Sequence, residues 1–256
     1  MLAIERKNEI LNKLRAEQRV LVSELAVHYG VTEETIRRDL DHLETAGHIV
    51  RTHGGAMLST RDMTKVEQSS SIRRQTNISE KNCIAELIAD MVQDGDGVML
   101  DASSTSLFVV RALRKKKHLT IITNSMEIIS EVAGQSDWTV MCTGGVLNER
   151  TMSFVGNRAE TMISKYHVDW AVISCKGVDL EHGFTESNEL SALVKRSMVT
   201  AAKKAILAAD STKLDTVSFV RTGRLHELSA LVTDQKPADH WLDALNELGV
   251  DCIYPD

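Results

Sequence analysis

The chain has 256 residues, 43% of them hydrophobic and 26% charged, with a formal net charge of −6. That balance excludes a disordered chain, and no run approaches the roughly 18 uncharged apolar residues that a membrane helix needs. The acidity is uneven: residues 1–82 carry 13 Lys+Arg against 12 Asp+Glu and residues 83–256 carry 17 against 24, so a near-neutral head precedes an acidic body.

Charges interrupt the opening MLAIERKNEI at once, which argues against a secretory signal. Ile4, Leu11 and Leu14 share one face of a first helix. In LVSELAVHYG, Ser23 stands at an N-cap position, with Val22 and Val27 spaced as a hydrophobic staple. Val22, Leu25, Ala26 and Tyr29 form a buried stripe, and Gly30 ends the helix in the left-handed conformation. The device then repeats. Thr32 is the cap, Val31 and Ile36 the staple, Ile36, Leu40 and Leu43 the buried stripe, and Gly47 the stop. Two short helices across a glycine turn predict a helix-turn-helix. HIVRTHGGAML reads as two strands around His53-Gly54-Gly55, the wing of a winged helix. The DNA-binding domain is placed at 1–58. Residues 59–78, which lack an apolar period, are read as a linker with room for some helix.

From residue 79 the pattern changes, and 79–256 is read as a second, effector-binding domain. Ser79 is placed as the cap of a helix through KNCIAELIADMV. Seven short apolar runs follow between helical segments: VMLD, LTIIT, WTVMC, WAVIS, AILAAD, ALVTD and VDCIY. That alternation predicts an α/β domain with a mainly parallel sheet covered by helices. The cysteines Cys83, Cys142, Cys175 and Cys252 form no CxxC or Cys/His cluster, so no zinc site, other metal or cofactor is expected, and a reducing cytoplasm fits. Trp138, Trp170 and Trp241 read as packing. The basic pairs Lys195-Arg196 and Lys203-Lys204 read as solvated faces.

With the apolar stripe of the third helix turned inward, Glu34, Arg38, Asp41 and Thr45 point outward and Thr35, Arg37 and His42 flank them. Arg38 suits a bidentate contact with a guanine edge, and Glu34 and Thr35 lie in the first turns, which meet bases. Arg37, and Arg51 with His53 on the wing, suit phosphates.

In the body, ligands belong beyond the carboxyl ends of the strands. The loops there carry Asp101, Ser103, Ser104 and Thr105; Asn124 and Ser125; Gly144 and Gly145; Lys176, Gly177, Asp179 and Thr185; and Lys213. Hydroxyls and amides at helix starts, with lysines beside them, predict an anion site.

The run Val31–Leu58 closely resembles the signature of the DeoR-type bacterial repressors, in Thr35 to Leu40, Leu43-Glu44, Gly47 and Arg51 to Ala56. The body is similar to that family's sensor. The family's D-S-G-S-T loop stands as Asp101 to Thr105, with Ala102 and Ser103 in place of its serine and glycine. Thr123 to Ser125, Gly144-Gly145, Gly177, Asp179, Gly183 to Thr185, Val194 to Met198 and Asp210 to Lys213 match further motifs. The resemblance implies a winged-helix domain that binds operator DNA. It also implies a sensor similar to the ribose-5-phosphate isomerase and CoA-transferase group, a phosphorylated sugar as effector, and homo-oligomers. The function expected is a cytoplasmic bacterial repressor of a carbohydrate catabolic operon. The alternative is an isomerase-like enzyme with an appended interaction domain, using Asp179, Glu189 and Lys213 as an acid–base set.

Overall fold

The computed structural model describes residues 6–7, 9–11, 13–14, 19–45, 49–52, 54–58, 69–135 and 137–255. Ile4, Gly47, His53 and residues 59–68 of the expected linker lie outside them. The chain divides into two compact units, Met1–Val66 and Glu67–Asp256.

In the first unit, helical residues at 6–7, 9–11 and 13–14 precede β1 (Arg19–Leu21), α1 (Val22–Tyr29), α2 (Glu33–Thr45), β2 (Ile49–Thr52) and β3 (Gly55–Leu58). Ile10, Leu14, Leu25, Ile36 and Leu40 are fully buried in one core. The outer strand β1 gave no pattern of its own in the sequence. It pairs antiparallel with β3, which pairs with β2, to make a three-stranded wing sheet.

That strand corrects the first cap. α1 starts at Val22, the preceding Leu21 is extended, and no side chain caps the helix. The Val22 N–H instead donates to Gly54 O at 2.9 Å, so the sheet satisfies a donor that would otherwise need a hydroxyl. Ser23 is therefore inside the helix, and Val27 is 84% exposed, so there is no staple. Gly30 does end α1 in the left-handed region, at φ 63°. Thr32 caps α2 through Thr35 N–H, at 3.3 Å. Gly55 is required sterically: a Cβ there would stand 2.0 Å from Val20 O.

The second unit begins with α3 (Ser70–Gln75) and α4 (Ile78–Met91). Then come β4 (Gly97–Leu100), α5 (Ser104–Ala112), β5 (Thr120–Thr123), α6 (Met126–Val132), β6 (Thr139–Cys142), the hairpin β7 (Val146–Asn148) and β8 (Ser153–Val155), α7 (Asn157–Ile163) and β9 (Val168–Ile173). They are followed by β10 (Gly177–Asp179), β11 (Gly183–Glu186), α8 (Glu189–Thr200), β12 (Ala202–Ala208), β13 (Val220–Gly223), β14 (Ala230–Val232), α9 (Asp239–Glu247) and β15 (Asp251–Ile253). Ser79 is inside α4 rather than at its cap, and its hydroxyl bonds Glu80.

Seven strands form one wholly parallel sheet in the order β15-β14-β12-β9-β4-β5-β6. These are the seven apolar runs of the sequence. Leu100, Val172 and Ile206 turn to a core with Ile84, Ile88 and Leu107 on one face. Met99, Ile173 and Leu207 turn to Ile163, Met198 and Trp241 on the other. Burial on both faces explains why these strands read as unbroken apolar runs. From β4 the chain builds outward through β5 and β6, then returns to β9 and builds the other way. The switch point therefore lies between β4 and β9, the position at which open parallel sheets form a ligand crevice beyond the carboxyl ends of their strands. Among the described residues no helix is long and apolar enough to cross a membrane.

Candidate functional site

The outer face of α2 exposes Glu34, Arg38, Asp41, His42 and Thr45, and the buried stripe behind it sets that orientation. Each of its cations has a carboxylate one turn away or on the neighbouring element. Arg37 bonds Glu33 at 2.7 Å, and Arg38 lies 3.5 Å from Glu34 with both side chains largely exposed. Arg51 is different: its side chain is 25% exposed and donates to Asp41 and to Arg37 O, at 2.8 and 3.1 Å. It fastens the wing to α2. The backbone N–H of Arg51 also bonds Glu44 at 3.1 Å. Asp39, within the T-I-R-R-D-L run, is buried and pairs with buried Arg6 at 2.6 Å. Neither partner shows a pattern in the sequence, because the pair spans two elements. His53 lies outside the described residues.

In the body, the switch point is built on Asp101, at the end of β4. Its fully buried carboxylate accepts from Ser103 N (3.1 Å), Ser106 Oγ (2.5 Å), Ser174 N (3.0 Å) and Lys195 Nζ (3.0 Å). Burial opposes this charge, but the Lys195 ammonium and these donors outweigh it and hold the carboxyl below its usual range. Asp101 is thus saturated by protein and ties β4 to the end of β9. Lys195 also bonds Glu186 and, at 2.6 Å, Ser174 O. Its pKa is raised, because Asp101 and Glu186 together outweigh its desolvation. The expected solvated face holds for Arg196, Lys203 and Lys204, but Lys195 is buried beside Val194 and Met198. Its place on that apolar stripe was the signal available in the sequence.

Around this pin the expected loop residues divide by what they already bond. Ser103 caps α5 by accepting from Ser106 N, and Ser125 caps α6 by accepting from Ile128 N. Thr123 bonds Leu100 O at 2.7 Å, and Thr185 bonds Gly177 O at 2.9 Å, so both hydroxyls join strands. Gly177 has no room for a Cβ, which would lie 2.4 Å from Thr216 O. Gly144 (φ 63°) and Gly145 (φ 121°) adopt the backbone that favours glycine. The N–H groups of Ser104 and Thr105 open α5 with no acceptor among the described residues, a ready anion cradle. Asn124 donates to Phe154 O, while its buried Oδ1 has no partner.

The cations complete the site. Lys213 reaches Ser174 Oγ (2.9 Å) and Asp210 (3.3 Å). Asp210 is held below its usual range, Lys213 outweighing burial with help from Thr212 and Asn77. The Lys176 ammonium makes no hydrogen bond or ion pair among the described residues, and burial first, then the positive Arg73, pushes its pKa down to about 8. Lys81, in α4, is pushed to about 8 by burial and Lys213. Around the crevice Arg73, Lys81, Lys176, Lys195 and Lys213 face Asp101, Glu186 and Asp210, an excess of two positive charges. Sequence reasoning missed Arg73, Lys81 and Asn77, because all three lie at or beside the expected linker.

The acid–base set of the alternative reading is not assembled. Asp179 accepts from Glu181 N, His182 N and His182 Nδ1 in its own hairpin turn, and Glu189 is exposed at the start of α8. No hydrogen bond or ion pair links either to Lys213 among the described residues.

Two family descriptions match this chain: a DeoR-like helix-turn-helix domain over residues 6–62 and a DeoR C terminal sensor domain over residues 76–235. The chain belongs to the DeoR family. This DeoR-family chain is 39% identical to the uncharacterized HTH-type transcriptional regulator YulB of Bacillus subtilis, over 91% of its own length and 90% of that protein's. It is 36% identical to the HTH-type transcriptional repressor GlcR of Bacillus subtilis, over 98% and 96%. Among solved structures, ribose 5 phosphate isomerase A from Neisseria gonorrhoeae is similar at a TM-score of 0.39 and 16% identity, over 53% of each chain.

Proposed function

We propose that this DeoR-family chain is a DNA-binding transcriptional repressor of a carbohydrate catabolic operon. A phosphorylated sugar or related intermediate bound in the second unit controls its operator affinity. The observation that carries the reading is the crevice at the β4–β9 switch point. An open helix start, an unpaired lysine and two surplus positive charges meet there, which is the chemistry of a phosphate site. The head supports it with an exposed α2 face backed by a wing sheet.

In this reading α2 enters the major groove, Arg38 reads a guanine edge, and Glu34, Thr35 and His42 lie over neighbouring bases. Arg37 and the wing tip at His53 meet phosphates. Arg51, already engaged by Asp41, holds the wing at the angle they need. Ser104, Thr105, Asn124, Lys176 and Lys213 hold the effector, and Asp101, Ser103, Thr123, Ser125, Gly144, Gly145, Gly177, Thr185 and Asp210 shape the loops around it. The protein works in the cytoplasm as a homo-oligomer whose paired heads read paired half-sites.

The decisive experiment is a gel shift on DNA from upstream of the target genes. Wild type binds one site, Arg38→Ala loses discrimination there, and a saturating sugar phosphate changes the wild-type affinity. Operator-specific binding by Arg38→Ala equal to wild type overturns the assignment of Arg38. A full panel of sugar phosphates without effect on either affinity or melting temperature overturns the sensor reading.

A further inference from the structure

The nine residues that lead from the head side into the sensor do not pass the crevice by. The Arg73 guanidinium, from α3, approaches Ala102 O in the loop after β4, at 3.5 Å from both terminal nitrogens. Its Nε is buried and has no partner. The Lys81 ammonium grips the same segment from α4, donating to Arg73 O at 2.7 Å and to Thr76 O. At the far end Asn77, at φ 50°, donates to Asp210 Oδ1 (3.1 Å) and Thr212 Oγ1 (3.3 Å). At the near end Ser70 N–H donates to Arg150 O at 3.1 Å, and Arg74 lies 3.3 Å from Glu127. The segment is thus a strap fastened at several points, with one arginine turned toward the crevice and carrying an unused donor.

Resting on the phosphate-site reading above, we infer that Arg73 is an effector-binding residue which the strap 69–77 brings to the crevice, so that an anion bound there also orders the segment through which the sensor continues into the head. The guanidinium is a planar fork matched to a phosphoryl group, and Ala102 O offers it only long, weak contacts at 3.5 Å. Like charge supports the placement: Arg73 is close enough to Lys176 to help depress that lysine, an arrangement an anion between them relieves. An occupied site holds the strap from both sides. Binding energy spent on ordering the strap is then a coupling between ligand and head, and it acts in both directions.

The test uses the full chain with inorganic phosphate as the probe, titrated by calorimetry at constant ionic strength. Arg73→Gln weakens phosphate binding at least tenfold. Arg73→Lys recovers part of the loss, having the charge without the fork, and Lys203→Gln, on an exposed residue near the start of β12 and away from the strap, stays within twofold of wild type. Hydrogen exchange gives the second readout: phosphate slows exchange across 69–77 in wild type and not in Arg73→Gln. If folded Arg73→Gln binds phosphate as tightly as wild type, this inference fails and the phosphate site survives. If wild type takes up no phosphate, the phosphate site fails and the inference with it. Should Arg73→Gln not fold, wild-type exchange decides alone, and no slowing across 69–77 at saturation overturns the inference.

Discussion

Raising the pH should strip this protein of its effector while leaving it folded. Lys81 and Lys176 both have pKa values near 8 in the free protein, lowered chiefly by burial. A bound phosphate favours their charged forms, so each takes up a proton fraction on binding, and affinity falls as pH rises through 8. From pH 7 to 9.5 a lysine with a pKa near 8 goes from about 90% to about 3% protonated, which costs about 30-fold in affinity, or about 2 kcal/mol. The two lysines share neighbours in Lys213 and Arg73, so their losses are coupled and the total lies between about 30-fold and several hundred-fold. The ligand barely blurs the result, because the second phosphate ionisation, near 6, is already about 90% complete at pH 7. Stability moves the other way. An unfolded lysine keeps its proton to about 10.5, so protons favour the unfolded chain between pH 8 and 10.5, and these two groups make the fold more stable as pH rises there. Calorimetric titration with a sugar phosphate, repeated in buffers of different ionisation enthalpy, gives both the affinity and the protons taken up. An affinity that stays flat from pH 7 to 9.5 in a folded protein, with no proton uptake at pH 8, refutes the reasoning.

Three further outcomes are expected from the head. Asp39→Ala leaves Arg6 buried without its partner, a loss of about 3–5 kcal/mol; the thermal transition of the head should fall by about 15 °C or more while that of the sensor is unmoved, as differential calorimetry can resolve. Gly55→Ala sets a Cβ 2.0 Å from Val20 O, so β1 and β3 must separate; a cost of about 1–3 kcal/mol and loss of operator binding should follow, whereas an unchanged head transition contradicts the steric argument. Glu34→Gln frees Arg38 from its carboxylate. Binding to random-sequence DNA at low salt should tighten a few-fold with a steeper salt dependence, and equal binding by variant and wild type would show that the pair does not restrain Arg38.

The sequence carried the parallel sheet because strands buried on both faces declare themselves as apolar runs, and all seven were legible within one to three residues at their ends. It hid β1, β7, β8, β10, β11 and β13, which are only three or four residues long and pair in small two- and three-stranded sheets apart from the parallel one, too short to show a period. The cap at Ser23 misled because a hydroxyl before a helical stripe is indistinguishable from one just inside it, and only the β1 pairing told them apart. At the crevice, the motif residues were legible by position but not by task. Asp101 reads as a ligand contact in a hydroxyl-rich loop, yet four donors from three segments already saturate it. Arg73 was invisible for the opposite reason: its segment has no apolar period, and its value lies in contacts with residues far along the chain. Lys81 stood on a helix that was read, but its ammonium serves that unread segment.

The self-paired face of α2 has a consequence for the search along a chromosome. A helix whose two arginines are each balanced by a glutamate one turn away gains little from an arbitrary stretch of phosphates, because each contact must first displace an internal partner. Only a site that offers those side chains something better, such as a base edge in register, overcomes that competition. A genome presents millions of rival sites, and occupancy depends on the ratio between the right site and the rest. Weak attraction to the rest leaves more of a small cellular pool free to find the operator. It also allows a modest effector-driven drop in affinity to empty it.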